Sequence, residues 1–345
     1  MKKIIYGVLA VSLILCGCKN NKDNNDTNYL GGKGELFYTE GAASRGVAYD
    51  EENIYFNYTE VYRLDKDGEL VINCDIATCK HDNDECKAAS RDGEYFVFGG
   101  KLYKSYNEND IVDSEIENYG YIKDCSSGKV VFDNPVPEDL EESKKLDSST
   151  EIYYISVLND DYMKVEGHWH AYILDKNFNI VCWYGDVGKF QWGYLYENKY
   201  YYINDLYQMS YIDIKSGEKG VLELDNKVTF AGADKDTLFY TDEYNDFYKY
   251  SLKDGLSAKI GENIWFFSVY DGYIYCDQIM GEKIEKLILD YEGNTKYTYT
   301  ANRYMGTDNL VKVGDKIYNM FFEEEQSGVA IMNIDGTGYK EVYIQ

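Results

Sequence analysis

The stretch KYYYINDLYQMSYIDIKSGEKGVLEL, residues 199–224, decides the fold. It reads as an aromatic strand, a short polar turn, a second strand, a turn closed by Gly217, and a third strand. Tyr, Val, Ile and Phe suit half-buried pleated surfaces. Side chains alternate along a strand, so the run Tyr200-Tyr201-Tyr202-Ile203 offers apolar groups to both of its faces. The same grammar recurs in NIYFNYTEVYRLDKDGELVIN from Asn53, TLFYTDEYNDFYKYSLKDGLSAKI from Thr237, GYIYCDQIMGEKIEKLILDYEGNTKYTY from Gly272 and KIYNMFFEEEQSGVAIMNIDGTGYKEVYI from Lys316. Two degenerate copies, built around EYFVFGGKLYKSYNEND and EIYYISV, lie between those that begin at Asn53 and Lys199.

The turn residues give the register: Gly68, Gly128, Asn179, Gly217, Gly255, Gly293 and Gly336, with successive spacings of 60, 51, 38, 38, 38 and 43. Glycine suits such hairpin turns because they need a positive φ, and Asn179 is the residue type best able to substitute. Another apolar strand precedes most copies, such as VTFAGAD from Val228 or IWFFSVYD from Ile264, which makes four strands per unit. Four short antiparallel strands at such a period are the signature of propeller blades. The expectation is an all-β chain, a β-propeller of seven four-stranded blades over 34–345; the two longest spacings leave six or eight blades as the alternative. GELFYTEG, from Gly34, is expected to pair into the last blade and close the ring.

The N-terminus reads differently. Lys2 and Lys3 precede an apolar run from Ile4 to Leu15, too short for a membrane span, which needs about 20 residues. Basic start, apolar core and small-residue exit describe an export signal. The exit Leu15-Cys16-Gly17-Cys18 resembles the lipobox of bacterial lipoproteins, in which the final cysteine is diacylated after cleavage before it. That resemblance implies Cys18 as the lipidated residue, because Gly17 before it is small, whereas bulky Leu15 disfavours Cys16. Residues 1–17 are thus read as the signal and 18–33, polar and Asn-rich, as a flexible tether. Two or more acyl chains anchor durably, so the chain is expected on the outer face of the cytoplasmic membrane.

Charge narrows the partners. The chain of 345 residues carries 61 acidic against 35 basic residues, a formal charge of −26. Such a body repels nucleic acid and anionic headgroups, and it also stays dispersed. No feature calls for a second copy, so a monomer is expected.

CDIATCKHDNDEC, residues 74–86, is the first candidate site. Cys74, Cys79, His81 and Cys86 form a complete tetrahedral set for a structural zinc, with no position left open for catalysis. A disulfide among the three cysteines is the competing reading, because the protein is expected outside the reducing cytosol. The neighbouring acids lack the glycine of an EF-hand loop. The insert follows the last strand of the first blade and is expected on the link to the second. Cys182 and Cys276 fall in strand patterns as small buried hydrophobes, and Cys125 stands apart from both.

The repeats, the K/D-x-G turns and the Cys79-Lys80-His81-Asp82…Cys86 string together resemble propeller-type lipoproteins of unknown function from Gram-positive gut anaerobes, over roughly Gly34 to Gln345. That resemblance implies a propeller held at the cell surface and implies no activity.

His168 and His170 flank Trp169 in VEGHWHAYIL. On a strand both imidazoles would share one side with Trp169 on the other, as a pocket wall. The stretch 107–150 is expected as an acidic loop, with a short helix starting at Pro137. The chain has no G-x-S-x-G elbow, H-E-x-x-H, Walker loop or G-x-G-x-x-G, which speaks against serine hydrolases, zincins and nucleotide enzymes. The leading expectation is a non-enzymatic binding or scaffold module for a glycan, peptide or partner protein. The alternative is a glycan hydrolase or lyase working through paired carboxylates.

Overall fold

A computed structural model describes residues 46–344 and the short strand Phe37–Tyr38; the segments outside it are chiefly 1–36, 39–45, 75–78, 81–94, 142–149, 186–191, 300–309 and 323–326. Among the described residues there is no helix, and seven antiparallel sheets follow one another along the chain. Blade 1 comprises β1 (Phe37–Tyr38), β2 (Gly46–Tyr49), β3 (Asn53–Asn57), β4 (Val61–Asp65) and β5 (Leu70–Ile72). Blade 2 comprises β6 (Tyr95–Phe98), β7 (Lys101–Val112), β8 (Glu115–Asp124) and β9 (Val130–Asp133). Blade 3 comprises β10 (Tyr154–Val157), β11 (Tyr162–Glu166), β12 (His170–Asp175) and β13 (Ile180–Gly185). Blade 4 comprises β14 (Gly193–Tyr196), β15 (Lys199–Ile203), β16 (Met209–Asp213) and β17 (Lys219–Val221). Blade 5 comprises β18 (Val228–Asp234), β19 (Thr237–Asp242), β20 (Phe247–Ser251) and β21 (Ser257–Gly261). Blade 6 comprises β22 (Ile264–Tyr270), β23 (Tyr273–Met280), β24 (Lys283–Asp290) and β25 (Thr295–Tyr299). Blade 7 comprises β26 (Val311–Val313), β27 (Lys316–Phe322), β28 (Ser327–Asn333) and β29 (Lys340–Tyr343). The chain is a seven-bladed β-propeller, as the repeat predicts.

Blade stacking explains the aromatic strands. Tyr200 and Tyr202 pack toward blade 3 with Ile173 and Tyr184, while Tyr201 and Ile203 pack toward blade 5 with Val228 and Leu238. Tyr184 stacks on Tyr202 with ring centroids 4.3 Å apart. Similar cores join blades 5 and 6 around Phe247 and Phe267, and blades 6 and 7 around Tyr275 and Ile317. The buried tyrosines among the described residues are therefore inter-blade core, where each ring removes a large apolar area from water.

The glycine turns take positive φ as expected, 73° at Gly217 and 68° at Gly255. The third turn differs: the positive φ, 63°, falls on Phe178, one residue before Asn179. Asp175 organises that turn, its Oδ1 accepting from the amides of Asn177 (2.8 Å) and Asn179 (2.9 Å). The Phe178 ring meets Tyr103 at 4.7 Å and Phe98 at 5.8 Å. Left-handed backbone costs about 1–2 kcal/mol, and burying a phenylalanine returns about 1.5–3 kcal/mol, so packing wins over backbone preference.

Ring closure also departs from expectation. β1, within GELFYTEG, pairs with β2 of the first blade and not with the last, through Phe37 opposite Val47. A short return to a neighbouring strand loses little chain entropy, and blade 7 already has four strands of its own. The first and last blades meet instead through Phe56, Leu64 and Leu70 against Val311, Tyr318, Met320, Val329 and Ile331. One parallel bridge joins Leu70 to Ile344.

Two further expectations are revised. Within 107–150 the chain is largely strand: β7 and β8 pair continuously from Tyr103–Asp124 to Val112–Glu115, so this part is a long hairpin and no loop. At Pro137 there is a single turn, closed by the Leu140 amide on the Pro137 carbonyl at 3.2 Å, and no helix in the described part of that segment.

Candidate functional site

Antiparallel order sorts the connections onto two faces. Links between the first and second and between the third and fourth strands of each blade lie at one end. Links between the second and third strands, and those between blades, lie at the other. On the first face every link is short, the longest being 334–339. At the second face β5, β9, β13 and β25 end and the next blades begin, the stretches of sequence between them being 73–94, 134–153, 186–192 and 300–310, and the long β7–β8 hairpin reaches the same face. The elaborated connections are all on this second face, which is therefore the candidate site.

The 134–153 connector is fastened to blade 2 from within. Asn134 donates through Nδ2 to the carbonyls of Thr150 and Glu151, both at 3.0 Å, and through its amide to the Gly120 carbonyl at 2.9 Å. A Cβ on residue 120 would sit 2.3 Å from the Thr150 oxygen, so only glycine lets the connector approach the strand. The hydroxyl of buried Tyr172 donates to the Pro135 carbonyl at 3.0 Å. Burial raises the Tyr172 pKa well above its ordinary range, and Asp139 adds to it.

The three residues of Gly167–Trp169 form the turn between β11 and β12, so the strand alternation expected for His168, Trp169 and His170 does not apply. The two imidazoles part company. His168 is exposed, its Nδ1 3.1 Å from the Tyr153 hydroxyl, which also donates to Glu151 Oε2 at 2.9 Å. Trp169 meets the His168 ring at 4.7 Å. His170 opens β12 fully buried, and burial pushes its pKa down to about 4 against a weaker opposing pull from the Pro135 backbone. At neutral pH it is a neutral core group. Its Cε1 and the Asn134 side chain leave no room for a Cβ on Gly167, at 2.9 and 3.0 Å. The two imidazoles are not brought together: His168 instead meets the Tyr153–Glu151 pair at the surface, and His170 is packed in the core.

Of the first candidate set, Cys74 and Cys79 are half-buried and belong, with Ile72, to the partly buried fringe of one apolar cluster. His81 and Cys86 lie outside the described residues, as does Cys18. Among the described residues no group of three or more His, Cys, Asp or Glu side chains is placed to hold a metal. Cys276 is buried and Cys182 half-buried, and burial pushes both thiols up to about 12, as suits inert packing groups. Cys125 is outside the described residues.

Sequence reasoning missed a second feature of this face. In the turn of blade 4, Asn204 Oδ1 accepts from the amides of Leu206 (3.0 Å) and Gln208 (2.9 Å). In blade 5, Asp242 Oδ1 accepts from those of Tyr244 and Asp246, both at 2.9 Å. Tyr207 and Asn245 follow with φ of 62° each. Both side-chain-capped turns throw a large apolar residue outward: Leu206 is 64% and Tyr244 69% exposed. The signal was present in the pattern N-D-L-Y-Q and D-E-Y-N-D, an apolar residue at the apex of an otherwise polar turn.

No protein-family model matches the chain, and no curated protein matches it. Among solved structures it is similar to the computationally designed Ika8 protein, with 8% identity over 89% of this chain and 90% of that one and a TM-score of 0.54. It is similar to the dihydro-heme d1 dehydrogenase NirN, solved in complex with DHE, with 10% identity over 91% and 67% of the two chains and a TM-score of 0.51. A prolyl endopeptidase shares 12% identity over 90% of this chain and 50% of its own, with a TM-score of 0.50. At these identities the likeness concerns the fold alone, and the fold is the β-propeller.

Proposed function

We propose that the chain is a binding or scaffold module that takes a glycan, peptide or partner protein on its elaborated face. A lipid on Cys18 would hold it at the outer surface of the cytoplasmic membrane. The observation that carries the binding reading is the segregation of every long connection to one face, while the opposite face keeps tight turns. Loops raised on a rigid scaffold are where proteins place recognition. Propellers host both binding and catalysis, so the fold alone does not choose.

Screening the purified chain against cell-wall glycans, dietary glycans and peptide arrays, followed by amide-exchange footprinting of any hit, tests the binding reading. Saturable binding with protection confined to the connectors of the second face is the expected result. Protection on the tight-turn face, or product release from a bound glycan, overturns it. For the anchor, metabolic palmitate labelling is expected to survive Cys16→Ser and to vanish in Cys18→Ser; the reverse pattern, or no label at all, removes the anchor from the proposal.

A further inference from the structure

Blades 4 to 6 present a connected line of exposed apolar side chains on the second face. Leu206 and Tyr244 stand at the apices of the two capped turns. Trp265, 48% exposed, sits at a bulge where the pairing of β22 with β23 slips between Ile264 and Phe266. Met280, 50% exposed, ends β23 beside it. Bulges of this kind re-aim side chains, and the exposed indole stacks on Phe266 at 5.0 Å, which in turn meets Phe230 edge-on at 5.7 Å.

Backbone hydrogen bonds join these points laterally. The Tyr207 carbonyl accepts from the Val228 amide at 2.8 Å, tying the blade 4 turn to the entry of blade 5. The Asn245 carbonyl accepts from the Ile264 amide at 3.0 Å, tying the blade 5 turn to the entry of blade 6. The Asn263 carbonyl accepts from the Ile279 amide at 2.8 Å, next to Met280. The backbone beside all four apolar anchors is thus tied down before any partner arrives, which lowers the entropy lost on binding. Contiguous exposed apolar groups rimmed by polar ones mark interaction surfaces.

The rim states the partner's charge. The connectors 204–208, 222–227, 243–246 and 262–263 hold six acidic residues and one lysine, Lys227. Lys259, which reaches the same rim, is already bonded to Asp246 and Glu262, both at 2.8 Å. Lys283 follows Met280 and is the remaining base near the line. Asp205 adjoins Leu206, Glu243 adjoins Tyr244, and Glu262 precedes Trp265 by three residues.

Resting on the binding reading above, we propose that the line Leu206–Tyr244–Trp265–Met280 is the docking surface for a basic amphipathic segment of a partner protein. Its apolar residues would seat on the four anchors and its Lys or Arg side chains would meet the exposed Asp205 and Glu243. An acidic rim repels anionic lipid, so a membrane surface is not the occupant.

The test uses the full chain and a labelled peptide of about 18 residues with Leu and Lys on opposite helical faces. A second peptide carries Glu in place of Lys. The Lys peptide is expected to bind, to blue-shift Trp265 emission, and to weaken as salt rises. The Glu peptide is expected not to bind. Tyr244→Ala/Trp265→Ala should weaken binding by about tenfold or more; Leu256→Ala, 71% exposed on the opposite face, should leave it unchanged. Asp205→Asn/Glu243→Gln should remove most of the salt dependence. Equal binding of both peptides, or equal loss in Leu256→Ala, overturns the proposal. So does binding of anionic phosphatidylglycerol vesicles that Tyr244→Ala/Trp265→Ala abolishes. If the Lys peptide binds with protection on 134–153 and none on blades 4 to 6, this docking line is wrong while the broader binding reading survives.

Discussion

Lys164→Met is expected to lower the free energy of unfolding by about 3–5 kcal/mol at neutral pH, the usual result of stripping one partner from a buried ion pair. Lys164 and Glu166 lie two residues apart on β11, so both point to the same side, toward blade 4. They are 1% and 4% exposed, with Nζ 3.3 Å from Oε2. Glu166 stands in line with Ala171 and Tyr184 across the sheet, and the Tyr184 hydroxyl is raised well above its ordinary pKa, chiefly by burial. Burial likewise raises the Glu166 carboxyl, and the Lys164 ammonium pulls the other way. Without Lys164 the carboxyl rises further. A group with a raised folded pKa favours the fold while protonated and loses that contribution as pH climbs through the folded value. The deficit of Lys164→Met should therefore be large at neutral pH and shrink as the pH falls toward the ordinary carboxylate range. Lys164→Met/Glu166→Leu should recover most of the loss and lose the pH dependence, because a well-packed apolar pair matches a buried ion pair in stability. Urea titrations of the three proteins across pH decide this. Equal destabilisation of the single and double variants would show that the side chains matter by volume and not by charge.

How much of this molecule was legible in the sequence depends on the range of the interaction that decides each feature. Gly217 and Gly255 announce their turns because the requirement for positive φ is local. The run Tyr200-Tyr201-Tyr202-Ile203 announces a strand sandwiched between two neighbours because both its faces are apolar, and the structure seats them in two different cores. Phe178 was not legible: its left-handed backbone is held by rings of blade 2 that are distant in sequence. The partner of β1 was not legible either, since an extra strand could have joined either end of the ring with the same side chains. His168 and His170 look equivalent on paper, yet a two-residue shift from turn to strand separates an exposed imidazole from a buried neutral one. Leu206 and Tyr244 were overlooked because a lone apolar residue in a polar turn is unremarkable by itself. They gain meaning only when the ring places successive turns side by side.

That ring has one weak place, and Leu70→Ala is expected to expose it. Six of the seven blade boundaries are crossed by the chain itself; the boundary between blades 7 and 1 is crossed by none. Among the described residues it rests on the cluster around Leu70 and on a bridge from Leu70 to Ile344. Leu70 is fully buried, and its neighbours Val329, Ile331 and Tyr318 sit on strands paired on both sides. Such walls cannot collapse into a new cavity, so the cost should lie in the upper part of the range of about 2–5 kcal/mol for Leu→Ala. Leu289→Ala, also buried but between blades 5 and 6, makes the control. Both should lower stability by amide exchange and denaturant titration. Only Leu70→Ala should uncouple the two end blades, because opening the unlinked boundary creates two exposed sheets without breaking any other interface. The signature is early loss of protection in β3–β5 and β27–β29 with β19, β20 and β23 still protected, and a shallower denaturant slope. If Leu289→Ala gives the same partial opening, or if Leu70→Ala unfolds the whole ring in one step with an unchanged slope, the boundary between the chain's ends is no weaker than the others. Closure would then be shared evenly around the propeller.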